Sequence, residues 1–423
     1  MKQAWVLRPQ VMKDVGIYHD PHSGLEESIR LAQSIDLEVV RAEIIKLRKR
    51  RSSTLFGKGI IEELSHDLAK SSVELVIVDY ALTPIQQRNL EISWFCKVID
   101  RAGLILEIFG KRARTHEGRL QVELAALTYQ RSRLVRAWTH LERQRGGFGF
   151  LGGPGESQIE ADRRQIDRRV GQIRKRLVRV VRTRELQRNA RSRVPFPIVA
   201  LVGYTNAGKS SLFNRLTDSG VHVEDQLFAT LDPTMRRIVL PSGQSAILSD
   251  TVGFIANIPT DLISAFRATL EEVMAANIII HVRDISHPGN STQNRDVKAT
   301  LAELGVDFGG TTILIEALNK IDRLSSELRS DFLIQDVGVA RQIAISALDG
   351  TGCQNLIGML DSCLTTNRDI IDLSIAVADG RAVSWLYQHG EVLTRTDDNE
   401  HIRLRVSLDS LKKARFEEEF GAE

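Results

Sequence analysis

Over its first hundred residues the chain alternates short apolar runs with segments of helical period. Leu37 to Val40 and Val73 to Val78 predict strands, Ile60 to Leu68 and Pro84 to Phe95 predict helices, and Leu104 to Ile108 predicts a further strand. Alternation of this kind predicts a small α/β domain over residues 1–115. Gly57-Lys58-Gly59 opens the first of these helices, and without a fuller phosphate-binding signature it reads as a plain turn.

From Leu120 the period changes. Leu120, Leu124, Leu127, Leu134, Trp138 and Leu141 form a heptad seam interrupted at Arg131, and Ile159, Ile166, Val170, Ile173, Leu177 and Val180 form a second. Between them RGGFGFLGGPGE, Arg145 to Glu156, carries too many glycines to remain helical. Two long helices with one such break predict an antiparallel hairpin over residues 116–194, closed by the prolines of RSRVPFP. At 1.5 Å per residue the first seam spans about 33 Å, so the tip stands well away from the base.

Strict strand–helix alternation follows over residues 195–365: Ile198 to Val202, Ser210 to Leu216, Ala246 to Ser249, Leu262 to Ala275, Ile278 to Val282, Asp296 to Leu304, Thr312 to Leu318, Gln342 to Ile345 and Asn355 to Leu364. The pattern predicts a mostly parallel sheet covered on both faces. Residues 366–423 shorten to strand, helix, a hairpin around Asp397-Asp398-Asn399 and a last helix, a small α+β module.

The 423 residues are 42% hydrophobic and 26% charged, which excludes wholesale disorder and fibrous repeats. The longest apolar runs, such as Ile198 to Val202, fall far short of a membrane span. The opening MKQAWVLRPQVMKD has no continuous apolar stretch behind its lysine, against a secretory signal. Cys96, Cys353 and Cys363 lack any Cys-x-x-Cys spacing and read as free thiols in a reducing cytosol. Charge is balanced overall, at +3, yet Lys111 to Arg193 holds 22 basic and 8 acidic residues. That excess, mostly arginine, is the electrostatic footprint of a polyanion partner.

The chemistry sits in the third segment. Gly203, Tyr204, Thr205, Asn206, Ala207, Gly208, Lys209 and Ser210 match G-x-x-x-x-G-K-[ST], after an apolar strand and before a helical pattern that continues through Ser211. Glycines let backbone N–H groups wrap phosphates, Lys209 reaches the β and γ phosphates, and the Ser210 hydroxyl suits Mg²⁺. Asp250-Thr251-Val252-Gly253 follows another strand, as expected for a carboxylate in the magnesium shell, acting through water, and a glycine N–H that senses the γ-phosphate.

Asn319-Lys320-Ile321-Asp322 ends a further strand. There the Asp322 carboxylate can accept from both N1–H and the 2-amino group of guanine, a pair adenine lacks. Ser346-Ala347-Leu348 follows the next strand and supplies a backbone N–H for the base oxygen. These motifs resemble the translation-factor-like class of GTPases, so the fold class is α/β and multidomain. A P-loop GTPase domain follows the small α/β domain and the hairpin, and precedes the α+β module.

Phe228, Ala229, Thr230, Leu231 and Asp232 belong to the loop after the first helix, which also carries Thr234. By resemblance to GTPases with an aromatic, a small residue and then Thr-Leu here, Thr230 is the magnesium ligand expected with GTP, and Thr234 the alternative. Lys209, Thr230 and Gly253 are then the groups that act on the γ-phosphate. Phe254 stands where signalling GTPases place a water-orienting glutamine, so an ion or partner completes the site or turnover is slow. Asn206 occupies the place of a K⁺ ligand in potassium-activated GTPases, or braces the loop.

STLFGKGIIEEL, GGFGFLGGPGESQIEADRR and LVGYTNAGKSSLFN, with FATLDPT and DTVGF, resemble the signature stretches of the HflX family over nearly the whole chain. The resemblance implies a cytoplasmic, monomeric GTPase that uses Mg²⁺. It would bind the large ribosomal subunit and the 70S ribosome through rRNA, with no DNA partner and no need of a membrane, and help split or rescue stalled ribosomes under stress. A protein-directed or membrane-surface regulatory GTPase is the alternative reading. On the hairpin, Arg145 and the stacking faces of Phe148 and Phe150 at the tip, with Arg163, Arg164, Arg168 and Arg169 on the shaft, are the expected RNA contacts.

Overall fold

The computed structural model describes residues 2–11, 20–113, 115–144, 154–191, 196–217, 228, 234–254, 272–306, 312–329, 341–365, 368–398 and 400–421. Its first unit is a four-stranded, wholly parallel sheet. The strands are β1 (Lys2–Val11), β2 (Leu37–Leu47), β3 (Leu75–Val78) and β4 (Lys97–Asp100), in the order β2-β1-β3-β4. Helices α1 (Pro21–Gln33), α2 (Lys58–Ala69), α3 (Pro84–Trp94) and α4 (Arg101–Arg112) cover it. β1 is absent from the sequence reading. Pro9 lacks the N–H that a strand bonded on both sides would need, but β1 pairs with β3 only over Ala4 to Leu7, so Pro9 lies beyond that ladder.

Leu104 to Ile108 is helix, not strand. The true strand ends at Asp100, whose carboxylate caps α4 by accepting from the Gly103 N–H at 2.8 Å. Leu104, Ile105, Leu106, Ile108 and Phe109 are all buried because α4 is covered on several sides. A helix buried this way loses its polar stripe, and a short apolar run then looks like a strand.

Helices α5 (His116–Gln144) and α6 (Pro154–Arg191) form the expected hairpin. Glu123 holds Arg169 at 2.7 Å and Asp167 holds Arg131 at 2.8 Å, pairs that fasten the two shafts while Val170 and Ile173 fill the seam. Arg145, Phe148 and Phe150 lie outside the described residues.

The third unit is a six-stranded sheet ordered β10-β9-β8-β5-β7-β6. Its strands are β5 (Ile198–Val202), β6 (Thr234–Val239), β7 (Ser245–Asp250), β8 (Ile278–Asp284), β9 (Ile313–Asn319) and β10 (Gln342–Ala344). All run parallel except edge strand β6, which the sequence reading missed and which pairs antiparallel with β7 from Thr234. Helices α7 (Lys209–Thr217), α8 (Asn290–Glu303) and α9 (Cys353–Thr365) flank it. Of the helix expected at Leu262 to Ala275, residues 262–271 lie outside the described residues.

The last unit is an antiparallel sheet ordered β11-β13-β12. It comprises β11 (Arg368–Ala376), β12 (Glu391–Asp397) and β13 (His401–Asp409), with α10 (Gly380–His389) and α11 (Ser410–Phe420). It has its own core around Leu386, Leu404, Val406 and Phe416. The first and third units each have a core of their own and share a further one. Ile105, Ile108 and Phe109 of α4 belong to the same buried cluster as Val202, Tyr204, Phe228, Val252 and Phe254.

Candidate functional site

The described nucleotide motifs sit at the carboxyl edge of the six-stranded sheet, where open α/β sheets bind ligands. β5 is central there, and Gly203 turns the chain out of it with φ +149°. A Cβ at Gly203 would lie 2.2 Å from the Val282 carbonyl oxygen, and one at Gly208 (φ +95°) 2.2 Å from Asn319 Nδ2. Only glycine allows strand and loop to approach this closely. The loop then runs straight into α7, whose first N–H groups have no partner within the helix and so suit an anion.

The loop is held by its own sequence-predicted partners. Lys209 is buried and donates to the Gly203 and Tyr204 carbonyls at 3.1 and 2.8 Å. Burial, with Lys320 nearby and Asp250 only partly offsetting it, pulls the ammonium down to about 8. Phosphates would restore that charge. Asn319 donates to the Ala207 carbonyl at 2.8 Å and accepts from the Ala347 N–H at 2.9 Å, so one amide ties three loops together. Lys320 has φ +68°, and its ammonium reaches the Asn206 carbonyl and the Asp284 carboxylate, each at 2.7 Å. Asn206 itself has φ +61°, a conformation that asparagine tolerates.

The Ser210 hydroxyl donates to Asp250 at 2.7 Å. A hydroxyl and a carboxylate at a helix N-terminus are hard oxygen donors, the chemistry that fits Mg²⁺, which takes few protein ligands beside phosphate oxygens. Among the described residues no group of three or more His, Cys, Asp or Glu is placed to cage a metal by itself. The Thr251 hydroxyl anchors to the Leu201 carbonyl at 2.6 Å, and Val252 is buried. Phe254 is fastened to the loop by two backbone bonds. Its N–H donates to Gly203 at 3.0 Å and its carbonyl accepts from Thr205 at 2.7 Å. Gly253 is thereby pressed against Thr205, and a Cβ there would come within 3.1 Å of Lys209 Nζ.

At the other end, Asp322 is half-buried in a short 3₁₀ turn, Ile321–Arg323, beside the fully buried Ile321. The Ser346 hydroxyl donates to Asp322 at 2.6 Å, a bond that fixes the carboxylate and that spacing alone did not reveal. Leu348 is exposed, and its carbonyl accepts from the Arg215 guanidinium. Ser211 continues the first turn of α7. Ala229, Thr230, Leu231 and Asp232 lie outside the described residues. Thr234, the alternative to Thr230, is the first residue of β6 and pairs with Asp250.

Two contacts have no counterpart in the sequence motifs. The Tyr204 hydroxyl, from the second position of the phosphate loop, donates to Glu27 of α1 at 2.7 Å. Phe228 is buried edge-on against Phe109 of α4, with ring centroids 4.9 Å apart. The signal available in advance was an aromatic residue at a variable position of a phosphate loop, where a bulky side chain must leave the site.

Three family models match. Residues 22–110 match a GTP-binding GTPase N-terminal region, 112–191 a GTP-binding GTPase middle region, and 198–320 a 50S ribosome-binding GTPase. A protein named GTPase HflX from Magnetococcus marinus is 47% identical over 384 residues, 91% of this chain and 88% of that one. Its namesake from Escherichia coli is 42% identical over 365 residues, covering 86% and 84%. Among solved structures, a crystal structure of SsGBP with GDP matches 86% of this chain and 99% of its own, at 25% identity and a TM-score of 0.48.

Proposed function

The chain belongs to the HflX family of GTPases and hydrolyses GTP to GDP and phosphate, and from that premise we propose that it acts on the large ribosomal subunit. In its GTP form it binds that subunit, alone or within the 70S particle, and helps to split or rescue stalled ribosomes in the cytoplasm as a monomer.

The observation that carries this reading is the charge of the hairpin. The segment from Lys111 to Arg193, most of which is the hairpin, carries a +14 excess, and Arg163, Arg164 and Arg168 are exposed along α6. Arg164 also pairs with Glu160 one turn away, an exposed pair that yields readily to a phosphate. Arg169 is different, since its bond to Glu123 gives it a share in holding the shafts together. Phosphate contacts by such arginines supply affinity without reading sequence. The tip, with Arg145, Phe148 and Phe150, carries the remodelling role in this proposal.

Within the nucleotide site, the proposal assigns Asp322 to the guanine edge and the Ala347 and Leu348 backbone to the base oxygen. Lys209 and the 203–210 loop take the phosphates, and Gly253 with Thr230 takes the γ-phosphate end. Ser210, Thr230 and, through water, Asp250 would hold Mg²⁺, which neutralises charge on the phosphate oxygens when bound. Phe254 offers no polar atom to orient water, so unaided turnover is slow and the ribosome completes the site. Asn206 is the residue through which K⁺ would act, and replacing Na⁺ by K⁺ tests it.

Sedimentation with 70S particles and isolated subunits, with GDP and with a non-hydrolysable GTP analogue, tests the ribosomal role. Co-migration with the large subunit that depends on the GTP analogue is expected. Equal recovery with and without ribosomes would sink the reading, and recovery only on anionic vesicles would replace it with a membrane-surface GTPase.

A further inference from the structure

The carboxyl edge of the four-stranded sheet is filled by charged side chains. Arg8 of β1, Asp79 just beyond β3 and Arg101 just beyond β4 converge there, and Glu27 reaches in from α1. Arg101 bonds Asp79 at 2.8 Å and Glu27 at 2.9 Å, and Arg8 closes on the other oxygen of Asp79. Asp79 is 2% and Arg101 8% exposed, so both charges need partners to be tolerated. Burial opposes the Asp79 charge, but Arg101 and Arg8 outweigh it and hold the carboxyl below its usual range.

Glu27 has one oxygen on Arg101 and the other accepts from the Tyr204 hydroxyl. A residue of the first unit is therefore bonded to the phosphate loop of the third. The two loops that flank the γ-phosphate position also send an aromatic side chain into the shared core, Phe228 against Phe109 and Phe254 beside Tyr204.

We propose that Glu27 is a positioning residue of the GTP site: through the Tyr204 hydroxyl it holds the phosphate loop in its receiving shape, so nucleotide binding and docking of the N-terminal unit are linked. This role of Glu27 depends on the GTPase activity and not on ribosome binding. A loop that is already ordered loses less conformational freedom when phosphates enter it. The linkage is reciprocal, so nucleotide should in turn quieten α1.

Tyr204→Phe removes one oxygen and leaves the ring in the core. In the full-length chain it should weaken GDP and GTP-analogue binding together, by about 5- to 10-fold, the lower part of the usual range of site–site coupling. Glu27→Gln keeps an acceptor for the hydroxyl and should bind as wild type does, whereas Glu27→Leu should match Tyr204→Phe. The double variant Tyr204→Phe/Glu27→Leu should then bind no more weakly than either single one.

Hydrogen exchange supplies the readout a merely structural role would not move. GDP should slow exchange in residues 21–33 of the wild type and fail to do so in Tyr204→Phe, while exchange in β2 of the first unit and β9 of the third reports that the variant is folded. Wild-type affinity in a folded Tyr204→Phe overturns the proposal. So does weakened binding with nucleotide-induced protection of α1 intact, because the hydroxyl would then act within the loop alone.

Discussion

At the carboxyl edge of the six-stranded sheet, β5, β7 and β9 end in loops whose backbone groups and glycines surround a space. Their polar side chains, Asn319, Lys320 and Ser210, bond mainly to one another's loops and leave the helix N-terminus open. At the corresponding edge of the four-stranded sheet, Arg8, Asp79 and Arg101 turn on one another, and Glu27 links them to a tyrosine of the protein itself. Both edges are parallel-sheet switch regions of the kind that bind ligands. The difference lies in how the buried charge is used. At the first edge Lys209 donates to neutral backbone carbonyls beside a glycine loop that leads into a helix N-terminus, so an anion can be taken; at the second the buried charges pair with one another and hold a neighbour in place.

The largest effect that would sharpen this contrast is loss of the base contact. Asp322→Asn should weaken GTP and GDP by roughly 10⁴- to 10⁵-fold, the discrimination expected when buried hydrogen-bonding groups are left unmatched, and should favour xanthosine nucleotides. Titration with fluorescent analogues measures it, and unchanged GTP affinity would remove Asp322 from the base site.

Next come the two glycines that differ most between the edges. Gly203→Ala places a Cβ against the Val282 backbone at a φ that side chains rarely adopt, and should lower stability by about 3 kcal/mol and abolish nucleotide binding. Gly24→Ala meets first the guanidinium of Arg8, a flexible side chain that can shift while Arg101 still holds Asp79, so the loss should be about 1 kcal/mol. Thermal melts of both variants, read side by side, test whether one edge is rigid backbone and the other movable side chain.

A smaller effect concerns pH. Without nucleotide, Lys209 titrates near 8, and phosphates would raise it, so binding takes up a proton above that pH. Affinity for GDP should be flat below pH 8 and then fall by up to about tenfold per unit. Lys209→Arg, which stays charged, should remove that slope even if it binds less tightly. The smallest effect is on the arm. Neutralising Arg163 and Arg168 should each flatten the salt dependence of ribosome binding by roughly 0.7 to 0.9 in log–log slope.

The nucleotide edge was largely legible in the sequence because its chemistry is contiguous. The residues from Gly203 to Ser210, from Asp250 to Gly253 and from Asn319 to Asp322 each form one loop, and the structure gathers all three. The other edge was not, because Arg8, Glu27, Asp79, Arg101 and Tyr204 lie far apart in the chain and carry no spacing rule. The same holds for elements. Alternation revealed β5, β7 and β8, but β1 was hidden by Pro9, edge strand β6 by its arginines, and α4 by burial on several sides that erased its helical period.

If Phe254 leaves the attacking water unoriented, as proposed above, the pure chain binds GTP but turns it over slowly. Steady-state GTP turnover of the pure protein, alone and with added large ribosomal subunits, tests it most directly. Turnover far below the roughly 10 s⁻¹ typical of enzymes, raised on adding the subunits, is the predicted result. Fast turnover by the protein alone, unchanged by ribosomes, would contradict it.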